Sequence, residues 1–316
     1  MSNIGDAVLT LPVIGALQEN FRYATVDVVA GPKAKEIFEA DPRIGRTYVY
    51  DKAAPPLSKI RLLWQLRRNR YDLLIDLRNS LFGFFVGARF CSRPARKRPG
   101  TVQHKIDEHL ERVKELGITV EAKAYPVWIT KSDTEKADRL LNKKGIRESE
   151  QIICLSPGAK SHIKRWTESG FAKAGDALAE AYKCKVVLAG DTSDIPICDR
   201  ILNRMRSFAV SVAGQTNLRE LSAIIKRAEL LITNDSAPLH IAGSLGTPVV
   251  AIFGPTDRKK YGPRGGAGVA LYKKLHCSPC ETALCRYNLE CMKAVTAEEV
   301  IEAGKGLLDG RTEKKI

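Results

Sequence analysis

Thr233-Asn234-Asp235-Ser236-Ala237-Pro238-Leu239-His240 follows the apolar run Ala228-Glu229-Leu230-Leu231-Ile232 and precedes Thr247-Pro248-Val249-Val250-Ala251-Ile252-Phe253-Gly254-Pro255-Thr256. The whole reads as strand, polar turn, helix start and strand. The first apolar run ends in a cluster of hydrogen-bonding residues, and Pro238 falls where the first helical turn has no use for an N–H. A strand that feeds a helix and then another apolar strand belongs to a parallel α/β sheet. The free N–H groups of such a helix start, at the C-terminal edge of the strands, suit phosphate or another anion. An ordinary connection in a doubly wound domain gives the same local pattern.

Outward from this stretch, the second half of the chain keeps the alternation. Residues 152–155 and 185–189 are strand-like, and residues 168–182 and 218–227 have helical spacing. The first half shows it too, with strand-like residues 25–30 and 72–77 around a helical stretch at 60–70, then a helical run at 109–116 stopped by Gly117. A charged helix over 131–144 leads to Gly145 and a polar stretch. The expected boundary therefore lies near residue 148, giving domains 1–148 and 149–316. Two α/β halves of similar size are expected to form a cleft between their C-terminal strand edges, where ligands of such folds bind.

A length of 316 residues fits two cores better than one, and 44% apolar residues supports both. With neither an uninterrupted apolar run of about 18 residues nor a charged-then-apolar leader, the expectation is a soluble protein without an export signal. Lys and Arg number 51 against 36 acidic residues, a formal net charge of +15, which draws polyanions to the surface. The densest basic stretch, residues 89–98, lacks the interleaved aromatics of a base-stacking platform, and no reading helix accompanies it, so nucleic acid is not an expected partner.

Three segments carry candidate chemistry. The loop Ser156-Pro157-Gly158-Ala159-Lys160-Ser161-His162-Ile163-Lys164-Arg165-Trp166 gathers Lys160, Lys164 and Arg165, yet has neither P-loop nor dinucleotide-fingerprint spacing. Placed across the cleft from the Asp235 turn, Lys164 would neutralise a departing diphosphate; otherwise it is a solvated loop cation. Asn3-Ile4-Gly5-Asp6-Ala7-Val8 reads as a short turn running into an apolar helix, with Asp6 either a helix cap or, facing a cleft, a general base. Cys277, Cys280, Cys285 and Cys291, four of the eight cysteines, are spaced for tetrahedral zinc or an iron–sulfur centre, and equally for two small disulfide loops. Reduced thiols are the expectation without export, so the cluster is assigned at most a structural metal.

Taken in order, these pieces resemble the ADP-heptose:lipopolysaccharide heptosyltransferases, glycosyltransferase family nine. The resemblance rests on Gly5-Asp6 with Thr10 and Pro12, the strand 71–77, Pro157-Gly158 with Lys164-Arg165-Trp166, Gly214-Gln215-Thr216, the 234–240 turn, Gly254-Pro255-Thr256 and the terminal cysteines. It implies the GT-B architecture of two Rossmann-like domains facing across a cleft, an N-terminal acceptor domain and a C-terminal donor domain. It further implies inverting transfer of heptose from ADP-heptose to an inner-core sugar of lipopolysaccharide, by a cytoplasmic enzyme peripheral to the inner membrane. By the same resemblance Asp6 is the base and Lys164 steadies the leaving ADP. Gly158, Ala159, Lys160, Asp235, Ser236, Ala237 and His240 line the donor site, with Thr216 and Asp194 near the nucleoside. Neither a cofactor nor a catalytic metal is implied.

Two departures qualify the match. Relatives carry an apolar strand directly before the Gly-Asp turn, whereas this sequence opens Met1-Ser2-Asn3-Ile4, so the first strand of the N-terminal sheet is expected to be missing and the turn bearing Asp6 to lose its ladder anchor. Ala159-Lys160 also stands where some relatives have hydroxyl residues that contact the donor phosphates, which leaves another nucleotide sugar, or a non-catalytic binding role, as alternatives.

Overall fold

The computed structural model describes residues 3–78, 80, 82–92, 102–121 and 125–310. The chain divides into two compact units, Met1–Trp128 and Ile129–Ile316. This division precedes the boundary expected at residue 148, and the charged helix Lys131–Lys143 is the reason. Ala137 and Leu141 are buried, and the helix packs on Leu218–Arg227, a helix of the second unit. Asp133 meets Arg219 at 3.1 Å and Asp138 meets Arg227 at 3.1 Å. Each helix begins in a reciprocal capping box, Thr130 with Asp133 and Asn217 with Glu220.

In the first unit β1 (Val28–Ala30) pairs in parallel with β2 (Thr47–Val49), and β3 (Leu73–Leu74) with β4 (Phe90–Cys91). Among the described residues these remain two separate pairs. Between them lies a cavity of about 1380 Å³, lined by Val28 and Val29 on one side, Leu73, Leu74 and Ile75 on the other, and Val13, Ile14 and Leu17 of the helix Leu11–Asn20. Among the described residues no strand joins the two pairs. The Gly5-Asp6 segment, expected as a turn, is instead a short helix, Ile4–Val8, whose N–H groups bond back within the segment, Ala7 to Asn3 and Leu9 to Gly5. The basic stretch 89–98 lies outside the described residues from position 93 onward.

The second unit is one parallel sheet of six strands: β5 (Ile152–Ser156), β6 (Lys185–Leu188), β7 (Ala209–Ser211), β8 (Leu230–Asn234), β9 (Val249–Ile252) and β10 (Gly268–Leu271). Their order across the sheet is β10-β9-β8-β5-β6-β7. The two central strands, β5 and β8, are buried along their whole length, which is why they read as unbroken apolar runs. Helices Glu168–Tyr182 and Ala297–Leu308 cover one face together, Gly304 lying against Leu178 and Leu230. The order of connections reverses between β5 and β8. That reversal is the topological switch point, and its C-terminal edge is where such a sheet leaves a crevice for ligand.

Candidate active site

In the register of the switch point Ser156 stands beside Thr233, so the loops leaving β5 and β8 start side by side. Asn234, fully buried, ties them together: its Nδ2 donates to the Pro157 carbonyl at 2.7 Å and its Oδ1 accepts from the Trp166 N–H at 2.9 Å. Thr233 Oγ1 donates to the Ser156 carbonyl at 3.2 Å, and Trp166 Nε1 to the Val295 carbonyl at 2.9 Å. Each buried polar group on this edge therefore has a partner, which makes the loops a rigid platform.

On that platform Lys164 Nζ lies 2.7 Å from Asp235 Oδ2, and Thr256 Oγ1 donates to the same oxygen at 2.7 Å. The Asp235 side chain is 6% exposed and that of Lys164 28%, so the carboxylate is the fixed member and the ammonium the one that reaches solvent. Lys164 was expected to stand across a cleft from Asp235. The structure instead pairs them within one unit, because the β5 loop turns through His162–Lys164 directly over the start of the β8 loop. An ammonium has three donors, and the bond to Asp235 uses one.

Beside this pair begins the helix Ala237–Leu245, with Pro238 in its first turn. Ser236 holds the N-cap position in extended conformation without capping the helix; its hydroxyl lies 3.2 Å from that of Thr233. The N–H groups of the first turn add their partial positive charge to that of Lys164, an arrangement suited to an anion. His240 sits one turn further along, half-buried.

Asp194 is buried, and its carboxylate lies against Gly158 so closely that a Cβ at that position would fall 2.1 Å from Oδ2. It accepts the Asp191 N–H at 3.1 Å, and Arg165 Nη2 approaches Oδ1 at 3.7 Å while Arg165 Nε donates to the Ala159 carbonyl at 3.1 Å. Burial raises the Asp194 pKa and the Asp191 charge adds to the rise, against the Asp191 N–H and Arg165. The carboxylate expected near the nucleoside is thus a wedge under the Gly158 loop. Ala159 is buried, Lys160 exposed, and Thr216 half-buried in the loop after β7. All of these residues follow strands of one parallel sheet and share its C-terminal edge.

Asp6 belongs to the first unit, in the first turn of Ile4–Val8, half-buried and accepting from Asn3 Nδ2 at 3.3 Å. The eight cysteines are free thiols, and among the described residues no group of three or more His, Cys, Asp or Glu is placed to hold a metal ion. The structural metal considered for Cys277, Cys280, Cys285 and Cys291 has no such arrangement. Instead Cys285 Sγ accepts the N–H groups of Tyr287 at 3.4 Å and Leu289 at 3.3 Å, and Cys280 Sγ accepts Thr282 Oγ1 at 3.3 Å. The segment braces the loop after β9: Ser278 Oγ donates to the Gly254 carbonyl at 2.5 Å and the Glu281 N–H to the Pro255 carbonyl at 2.8 Å. Asn234, Arg165, Trp166 and Thr256 lie in the motifs that carry the resemblance, yet the sequence assigns none of them a role in the site.

With that geometry in place, comparison with known proteins is decisive. The profile of glycosyltransferase family 9 (heptosyltransferase) matches residues 59–290. This chain belongs to glycosyltransferase family 9. It is 29% identical to lipopolysaccharide heptosyltransferase 3 of Escherichia coli K12, over 96% of this chain and 95% of that protein. Among solved structures it is similar to a family 9 glycosyl transferase from Veillonella parvula, with a TM-score of 0.84 at 23% identity over 98% of this chain and 95% of the other. It also resembles Escherichia coli ADP-heptose lps heptosyltransferase II, with a TM-score of 0.77 at 18% identity over 98% and 97%. The family 9 enzyme is a glycosyltransferase of GT-B fold, as the sequence motifs implied. No helix among the described residues is long and apolar enough to cross a membrane.

Proposed function

We propose that this family 9 enzyme transfers heptose from ADP-heptose to an inner-core sugar of lipopolysaccharide with inversion at the anomeric carbon, working at the cytoplasmic face of the inner membrane. The observation that carries the reading is the Lys164–Asp235–Thr256 cluster beside the start of Ala237–Leu245, at the C-terminal edge of a parallel sheet. Asp235 and Thr256 hold the ammonium in place, and its remaining donors, with the helix N–H groups, are available to a diphosphate. The Escherichia coli relative named for ADP-heptose supplies the identity of the donor in this proposal.

In the proposed reaction the acceptor hydroxyl attacks the anomeric carbon as Asp6 takes its proton, and the bond from that carbon to the diphosphate oxygen breaks. The electron pair leaves with ADP. Negative charge grows on the departing oxygen only as the bond opens, so a fixed cation at Lys164 favours the transition state over bound donor. Gly158, Ala159 and Lys160 form one wall of the donor site and Ser236, Ala237 and His240 the other, with Thr216 toward the nucleoside and Asp194 holding Gly158 in place. The first unit takes the acceptor and the second the donor.

Calorimetric titration with ADP and then ADP-heptose tests the donor site, with Lys164→Ala and Asp235→Ala as controls. Binding by wild type, weakened at least about tenfold in Lys164→Ala, is the expected result, since charge-assisted bonds contribute about 1.5–3 kcal/mol. Asp6→Ala should abolish transfer and leave ADP binding intact. A folded wild-type chain that binds neither ligand, or an Asp6→Ala variant that transfers at the wild-type rate, would overturn the reading. Tighter binding of a different nucleotide sugar would change the donor; Ala159 offers no hydroxyl to the phosphates.

A further inference from the structure

The first unit carries an apolar surface that no reaction step uses. Its helix Pro56–Arg68 is apolar on two faces. Leu62 and Leu66 point inward, 8% and 4% exposed, and pack with Val86. Leu57, Ile60 and Trp64, spaced three and four residues apart and so on one face, are 73%, 59% and 62% exposed. A helix of a water-soluble domain normally turns only polar groups outward, so a second apolar face marks a contact surface. The neighbouring helix Phe82–Val86 extends it: Phe84 and Phe85 are exposed, and Arg67 Nη1 donates to the Phe85 carbonyl at 3.2 Å, joining the two helices.

Charge identifies the occupant. The helix Pro56–Arg68 carries Lys59, Arg61, Arg67 and Arg68 and no carboxylate, with Asp51 and Asp72 beyond its ends; Lys59 turns to the cavity of the unit, leaving the arginines for the exposed side. Arg61 and Arg68 share the outward face with Trp64, and the Arg68 guanidinium lies 5.0 Å from the Trp64 ring. A tryptophan and aliphatic side chains flanked on the same helix face by arginines form the pattern of a helix that lies in the headgroup layer of an anionic membrane. A docking site for a protein would place few charges at its centre and both signs around it.

We infer that the outward face of Pro56–Arg68, with Phe84 and Phe85, seats the enzyme on an anionic phospholipid bilayer, the apolar side chains entering the acyl boundary and the arginines meeting lipid phosphates. The inference extends the proposed function by bringing the enzyme to a lipid-borne acceptor. Its deciding readout, binding to vesicles, needs no nucleotide, so either reading can fail alone.

The full chain is sedimented with vesicles of equal parts phosphatidylglycerol and phosphatidylethanolamine, and with vesicles of phosphatidylcholine only. Wild type should bind the anionic vesicles at least about tenfold more tightly than the neutral ones, with the difference shrinking as salt is raised. The double variants Ile60→Ser/Trp64→Ser and Arg61→Ser/Arg68→Ser should each weaken binding by at least about tenfold, the first through lost apolar burial and the second through lost charge. Both pairs are exposed, so melting temperature and ADP affinity should stay at wild-type values. Brominated lipid should quench wild-type fluorescence and fail to do so in Trp64→Phe. Equal binding to both vesicle types, binding unchanged in both variants, or self-association abolished by Ile60→Ser/Trp64→Ser without any lipid binding would each overturn the assignment.

Discussion

Acidification should destabilise the first unit through His109, and the structure sets the size of the effect. His109 lies in the helix Lys105–Lys114, 6% exposed, and among the described residues neither its Nδ1 nor the Arg112 Nε beside it has a partner. Burial first, then the positive charges of Lys105 and Arg112 and the neighbouring His104, push its pKa from 6.5 down to about 3. Arg112 cannot move away easily, because its Nη1 donates to the Asp76 carbonyl. The folded pKa lies below the unfolded one, so the stabilisation is fully present above pH 6.5 and is lost as pH falls toward the folded value. Between those limits the unfolded state carries one more proton, a slope of about 1.4 kcal/mol per pH unit. Integration from pH 7 to pH 5 gives a loss of about 2 kcal/mol. The measurement is urea unfolding of wild type and His109→Leu at both pH values, with hydrogen exchange across Lys105–Lys114 reporting on the first unit. The variant should lose about 2 kcal/mol less than wild type over that interval. An imidazole that titrates near 6.5 in the folded protein, or equal losses in the two proteins, would refute the reasoning.

In the second unit, Gly158→Ala should destabilise by about 1–3 kcal/mol, because the new Cβ meets an Asp194 carboxylate held by Asp191 and Arg165. Adding Asp194→Ser should recover part of that loss in a double-mutant cycle, and strict additivity would show that the two residues do not press on each other. Asp133→Asn should lower stability by about 1–2 kcal/mol at neutral pH, by weakening the Thr130 capping box and the Arg219 pair. Although burial opposes it, the Thr130 bonds and Arg219 hold the Asp133 pKa below 3.8, so this stabilisation is present above that value and fades as pH falls through the lowered one. Denaturation midpoints of variant and wild type should therefore converge in acid, and a constant gap down to the lowest pH would contradict it.

The second unit was the more legible half of the sequence. Its central strands are buried on both faces, so Leu230–Asn234 and Val249–Ile252 stand out as apolar runs, and Pro238 marks the helix start between them. Contacts between separate motifs were not legible. Lys164 and Asp235 meet only because Ser156 pairs beside Thr233, a register that neither segment displays alone. Asn234 read as a turn residue, yet its amide is the buried tie between two loops. The boundary was misplaced because Lys131–Lys143 looks like a solvated charged helix until Arg219 and Arg227 supply its partners. In the first unit the strands are two or three residues long, too short for a periodic signal, and Gly5-Asp6 closes helical bonds instead of a turn.

The cysteine segment has the spacing of a metal site, and in the structure the thiols at Cys280 and Cys285 accept local O–H and N–H groups. Cys291 is buried against Gly254, where a Cβ would fall 2.8 Å from its sulfur. Burial, with the neighbouring thiols, raises the Cys291 pKa and keeps it an uncharged packing group. Ser278 and Glu281 then fix the carbonyls of Gly254 and Pro255, Thr256 presents its hydroxyl to Asp235, and Asp235 holds Lys164. A segment more than a hundred residues from Lys164 in sequence thereby sets where the cation stands. Disturbing the cysteine turn should affect the site through Thr256, whether or not any ion ever binds there.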